Sequence, residues 1–233
     1  MPILPATAAG APPVEITLRR SSQARRISLR VSGLDGRVTL TIPPRAKEAE
    51  ALAFARDRAE WIRAALARVP QTQTVTHGTV LPLEGRAVTL TPGPVRGAVR
   101  LLADSLVVPG EADRAGLRAA AFLKLLARDR LALACDRHAR ALGRPYAALA
   151  LRDTRSRWGS CSAAGVLMFN WRLVMAPPEV LDYVAAHEVA HLAEMNHSPA
   201  YWAVVGRLLP GYAPLRRWLK TEGNTLHGWR FGA

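Results

Sequence analysis

Residues 178–195 read PEVLDYVAAHEVAHLAEM. Proline suits the first position of a helix, where its missing N–H has no partner to lose, and Glu179 suits the first turn, where the helix dipole favours an anion. No breaker follows before Met195. Val180, Val184, His187, His191 and Met195 recur at the three- and four-residue spacing that gathers side chains on one side of a helix. His187 and His191 stand one turn apart on that side, and Glu188 adjoins the first, so the run contains H-E-x-x-H. Two imidazoles placed in this way can grip one metal ion, with the carboxylate in reach of its water.

A five-residue match arises often by chance, so the third ligand decides the case. Catalytic zinc takes three protein ligands and keeps one position open. Glu194 shares the face of His187, but a straight helix carries it about 10 Å further along the axis, too far to converge. His197 converges if the chain reverses at once. Asn196 tolerates the left-handed conformation that ends helices, and Ser198-Pro199 supplies the N-cap and first turn of a new one. The expected centre is one zinc ion on His187, His191 and His197, with Glu188 as general base. His227 and Glu222 stand as alternative third ligands. The spacing equals that of metzincins, but Glu194 replaces their glycine and no Met-turn follows, which argues against that class. Without a metal, these polar groups would lie unpartnered beside Val184, Val189 and Leu192. His77 and His138, in a turn and on a charged helix, read as surface histidines.

Upstream, TRSRWGSCSAAGVLMFNWRLVMAPP (154–178) reads as two strands about the turn Ala163-Ala164-Gly165, packed beside the metal helix. In zinc peptidases generally, an edge strand in this place pairs with an extended substrate through main-chain hydrogen bonds. Asn170 and Arg172 alternate with Phe169 and Trp171. The first two are therefore candidate substrate contacts and the second two candidate core, with Trp158 and Trp202 also read as core. Cys161 is expected to be a buried thiol, because a fourth protein ligand would close the metal site. Tyr201, one turn into the next helix, is a candidate donor to a developing oxyanion.

The rest of the chain divides by pattern. VEITLRR, RRISLRVS and GRVTLTIP alternate apolar and polar residues and read as strands, followed by a helix of about 24 residues from Pro43-Pro44 to Val69. TVLPLEGRAVTLTP and VRLLADSLVVPG read as hairpins. At Pro109-Gly110 the character turns helical, through Leu142, until Gly143-Arg144-Pro145 stops it. AALALRD reads as a short strand, and 178–194, 198–208 and 214–222 as helices. The class is α+β: a leader expected to be disordered at 1–13, a β-rich part at 14–109 and a helix-dominated domain with a small sheet at 110–233.

With 49% apolar and 21% charged residues among 233, the chain is suited to a folded core and unlike a disordered one. Two cysteines make no disulfide framework, no run approaches the roughly 20 apolar residues of a membrane span, and no signal peptide is evident, so a cytoplasmic location is expected. The net charge of +14 is unusual, and all but three of the 32 basic residues are arginines. Such a surface attracts polyanions. The arginines are dispersed, however, and alanine is as abundant, so a high-GC codon bias accounts for them and nucleic-acid binding is not favoured.

Together RSRWGSCS (155–162), FNWRLVMAPPEVLDYVAAHEVAHL (169–192) and MNHSPAYW (195–202) resemble the YgjP-like metallopeptidases, relatives of the WLM and SprT-like zinc peptidases and more distantly of the small gluzincins. The resemblance implies a compact zincin-like domain, metal ligands at His187, His191 and His197, and a catalytic Glu188. It places the family's RWGSC segment at Arg157 to Cys161, which makes Arg157 a further candidate substrate residue. A peptide or protein substrate is implied. The alternatives are a nucleoside triphosphate such as UTP, its phosphates clamped by Arg155, Arg157 and Arg172, and a DNA-associated protease. The nucleotide reading lacks the carboxylate cluster that magnesium-dependent phosphate enzymes use.

Overall fold

The structure is a computed structural model that describes residues 3–4, 13–69 and 71–232. It divides into two compact units, residues 1–71 and 72–233. The expected leader at 1–13 lies outside the described residues apart from Pro13 and the short strand β1 (Ile3–Leu4), which pairs antiparallel with β2 (Val14–Arg20).

In the first unit β3 (Ser28–Val31) and β4 (Val38–Ile42) complete a sheet of order β1-β2-β4-β3, in which β2 and β4 run parallel. The period-two pattern of the sequence puts Val14, Ile16, Val38, Leu40 and Ile42 on one face. They bury against Ala51, Ala55 and Ile62. The single helix expected up to Val69 is two, α1 (Glu48–Asp57) and α2 (Ala59–Leu66), because Arg58 between them leaves helical geometry at φ −103° and ψ 12°. Ala51, Ala55, Ala59 and Ile62 stay buried on both sides of the break, so the interruption costs no apolar contact face.

The second unit holds β5 (Gln73–Thr74), the hairpin β6 (Val80–Leu83) and β7 (Arg86–Gly93), and the hairpin β8 (Arg100–Leu101) and β9 (Ser105–Pro109). The hairpins join in the order β6-β7-β9-β8 through the parallel pair β7 and β9. Helix α3 (Ala112–Leu142) follows and ends at Gly143, whose φ of 72° is the left-handed cap that glycine adopts without strain. Its two halves serve different cores. Ala115, Ala119, Leu123 and Ala127 pack with Leu81, Leu90, Leu106, Val108 and Trp171. Leu131, Ala134, Cys135 and Ala139 pack with Leu167, Phe169, Leu181, Val184, Ala185, Val189 and Tyr201. The change of character at residue 110 is thus where the chain passes from strand to helix inside one core, and the compact units part after Gln71 instead.

Beyond α3, β10 (Ala148–Arg152), β11 (Gly159–Cys161) and β12 (Val166–Asn170) form a sheet of order β10-β12-β11, leaving β11 at its edge. The expected turn is present, with Gly165 at φ 73°. The second strand stops earlier than its alternation suggests. Asn170 caps a 3-10 turn, Trp171–Met175, by accepting a hydrogen bond at Oδ1 from the Arg172 amide at 2.9 Å. Helices α4 (Pro178–Ala190), α5 (Pro199–Leu208) and α6 (Tyr212–Thr221) follow, and β13 (Trp229–Arg230) closes the unit beside β5. The mixed α/β architecture agrees with the expected class. Among the described residues no helix is long and apolar enough to cross a membrane.

Candidate metal centre

Helix α4 starts as its prolines require, but its end differs from expectation. The amides of His191, Leu192 and Ala193 donate to carbonyls three residues back, those of Glu188, Val189 and Ala190. The last turn therefore tightens, and no left-handed Asn196 is used, since Glu84 is the one described non-glycine residue with positive φ. The Tyr201 hydroxyl, from a fully buried ring on α5, donates to the His187 carbonyl at 2.9 Å. Helix α5 begins as expected, the Ser198 hydroxyl accepting from the Tyr201 amide at 3.3 Å. The two ends together swing His197 back onto α4.

His187, His191 and His197 offer ring nitrogens that all lie within 4.8 Å of one another, a set that could hold a metal ion. The Nε2 atoms of His187 and His197 are 3.1 Å apart. Two nitrogens bound to one tetrahedral ion at roughly 2.1 Å would be about 3.4 Å apart, so this spacing suits a shared cation. His191 turns Nδ1 to the Glu194 carbonyl at 3.0 Å, which frees its Nε2 for a metal, the arrangement that orients ligating histidines. Burial, with the charges of His191, His197 and Arg216, pushes His187 down to about 3, and burial likewise lowers His191. Both stay neutral near pH 7, the form that binds metal. His187 Nδ1 is buried and has no hydrogen-bond partner. Donor type, spacing and protonation fit a metal.

Glu188 is 4% exposed. Burial pushes its carboxyl up to about 8, with the Arg157 charge acting in the opposite direction. It shares with the three histidines a cavity of about 250 Å³ whose other wall is β11, Gly159 to Cys161. A larger hollow of about 750 Å³ lies at the end of α3 between Asp136 and Tyr146, without the metal-ligating cluster.

The remaining sequence candidates scatter. Asn170 is fully buried, its Nδ2 donating to the Thr154 carbonyl at 2.7 Å. Arg172 grips Asp153 with two nitrogens, at 2.7 and 3.1 Å, and donates to the carbonyls of Leu226 and Trp229. Both are committed inside the unit because the 3-10 turn directs them there. Tyr201 is occupied by the His187 carbonyl. Of the four substrate candidates only Arg157 is exposed. Cys161 is half-buried and lines the cavity, and burial followed by the nearby Glu188 raises its thiol. His227 packs on Trp158 at 5.0 Å and Glu222 is exposed; neither joins the cluster. His138 is not on the surface: it is buried, with Nε2 at 2.7 Å from Asp182 Oδ1.

Sequence reasoning passed over Gly159. A glycine in an alternating strand next to an H-E-x-x-H helix was the available signal.

A family model described as YgjP-like, metallopeptidase domain, matches residues 25–222. The chain belongs to the YgjP-like metallopeptidase family. For this YgjP-like chain, no curated protein sequence matches. Among solved structures, the metallopeptidase zymogen of Pyrococcus abyssi abylysin is similar at 19% identity, over 40% of this chain and 95% of that one, with a TM-score of 0.36.

Proposed function

We propose that this protein is a zinc-dependent peptidase in which His187, His191 and His197 hold one zinc ion and Glu188 is the general base. The observation that carries the reading is the shared cavity: three imidazole nitrogens that fit one cation, a buried carboxylate beside them, and the edge of a sheet along the opposite wall.

Zinc on such ligands supplies Lewis-acid polarisation of a carbonyl and lowers the pKa of water to about 7. With a cation on the three imidazoles opposing the upward push of burial, Glu188 stays ionised, so that it takes the proton of the attacking water and returns it to the leaving amine nitrogen. The substrate backbone is met by β11. Trp158 accepts from the Asn170 amide and Ser162 donates to the Val166 carbonyl. Antiparallel pairs alternate, so Ser160 also faces β12, while Gly159 and Cys161 turn their main-chain groups to the open edge. An extended peptide can add there as a further strand. Arg157, exposed and with its charge felt at Glu188, is the side chain placed to contact substrate. Asn170, Arg172 and Tyr201 serve by holding the frame.

Glu188→Gln is expected to retain one zinc per chain and lose at least about a thousandfold in turnover of a susceptible peptide. Normal cleavage by that variant would sink the mechanism. If the zinc-loaded protein instead releases pyrophosphate from UTP and cuts nothing in a broad peptide library, the peptidase reading fails and a nucleotide one replaces it.

A further inference from the structure

We propose that Gly159 is a positioning residue for Glu188: it is glycine because the Glu188 side chain rests against its Cα, and any larger residue there displaces the carboxylate. The inference rests on Glu188 being the general base, but its steric core does not.

Gly159 opens β11, and paired strand positions disfavour glycine, which has no side chain to pack and loses the most conformational entropy on ordering. Such a residue needs a reason. Backbone conformation is not the reason, since Gly159 is absent from the glycines with positive φ and pairs regularly with Phe169 on β12. Space is. A Cβ built on Gly159 would meet Glu188 at Oε1, Cγ and Cδ, at 2.5, 2.6 and 2.8 Å, where ordinary contact begins at 3.4 Å. The nearest atoms are thus all from one side chain, and from its whole outer half.

Nothing else holds that side chain by a directed bond. Among the described residues no hydrogen bond reaches the Glu188 carboxylate, and Arg157 acts on it only through its charge. Its backbone is fixed by α4, on which Val189 and Ala190 are fully buried. Displacement by a Cβ therefore falls on the side chain, which has to recede by roughly 1 Å, an error of the size that costs about a hundredfold in catalysis. The same alternation that points the Gly159 Cα at Glu188 turns its main-chain groups to the open edge of the sheet, so one small residue serves both the base and the wall of the cavity.

The test uses the full-length zinc-loaded chain. Gly159→Ala should lower kcat by about a hundredfold while KM and the zinc content stay within about twofold of the parent. The difference in Tm loss between the parent and a Glu188→Ala background supplies the readout that a merely structural glycine would not move. Gly159→Ala should lower Tm in the parent, yet leave Tm unchanged or higher when added to Glu188→Ala, where the colliding side chain is gone. If Gly159→Ala alone does not fold, the double variant still should. A kcat within threefold of the parent, or an equal loss of Tm in both backgrounds, would overturn the proposal. Retained turnover in Glu188→Gln would defeat the general-base reading instead, and would leave the melting result standing.

Discussion

Helix α4 carries two histidine arrangements that look alike in composition and differ in chemistry. Near its start Asp182 meets His138, a buried imidazole from α3, and Arg137 also pairs with that carboxylate. Five residues later His187 is also largely buried, but its Nε2 faces another Nε2 and its Nδ1 faces no partner at all. The first set is complete as it stands, an imidazole with a carboxylate and a cation beyond it. The second is a set of converging ring nitrogens that could hold a cation. A buried histidine whose hydrogen bonds close within the protein is architecture, and one whose lone pairs converge is a site.

His187→Ala and His138→Ala should separate the two most sharply. Replacing His187 should remove stoichiometric zinc, measured by metal analysis, and with it essentially all activity. Replacing His138 should leave one zinc per chain and lower stability by roughly 2–4 kcal/mol in denaturant melts, from the cavity and the orphaned Asp182. Zinc lost equally from both variants would erase the distinction.

Asp182→Asn should cost roughly 1–3 kcal/mol of stability and no zinc. The Asp182 carboxyl also sets a direction for acid sensitivity. Burial tends to raise its pKa, but the hydrogen bond and charge of His138, with the Arg137 pair, outweigh this and hold it below the ordinary carboxylate value. A folded pKa depressed in this way contributes stability above the unfolded value and loses it as pH falls through the folded one. The melting curves of the parent and Asp182→Asn should therefore approach each other below about pH 4. A gap that widens on acidification would contradict the pairing.

The smallest expected effect is that of Tyr201→Phe. It removes the hydroxyl donor from the His187 carbonyl while keeping the ring stacked on His191 at 4.5 Å. A loss of about 1 kcal/mol with near-normal turnover is expected, because the hydroxyl is spent on the backbone and has none left for substrate. A hundredfold loss of kcat at unchanged stability would restore Tyr201 as an oxyanion donor.

What could be read from the chain alone was whatever depends on near neighbours. His187, Glu188 and His191 follow from helical periodicity, and His197 from the reversal that Ser198-Pro199 announces; all four lie within eleven residues. The strands of the first unit, the paired hairpins and the glycine stop at Gly143 were equally local. Tertiary structure decided the rest. Asn170 and Arg172 look like substrate groups while the strand is imagined to continue, and only the capped 3-10 turn with Asp153 shows them consumed by the fold. His138 reads as exposed until Asp182, 44 residues away, arrives beside it. The division after Gln71 was invisible because α3 hides its share of the first core in alanines, which carry little hydrophobic signal. Gly159 gains its meaning from a glutamate on another element. Spacing along the chain sets which groups can face one another, but a buried polar group finds its partner only when packing removes the water that would otherwise serve.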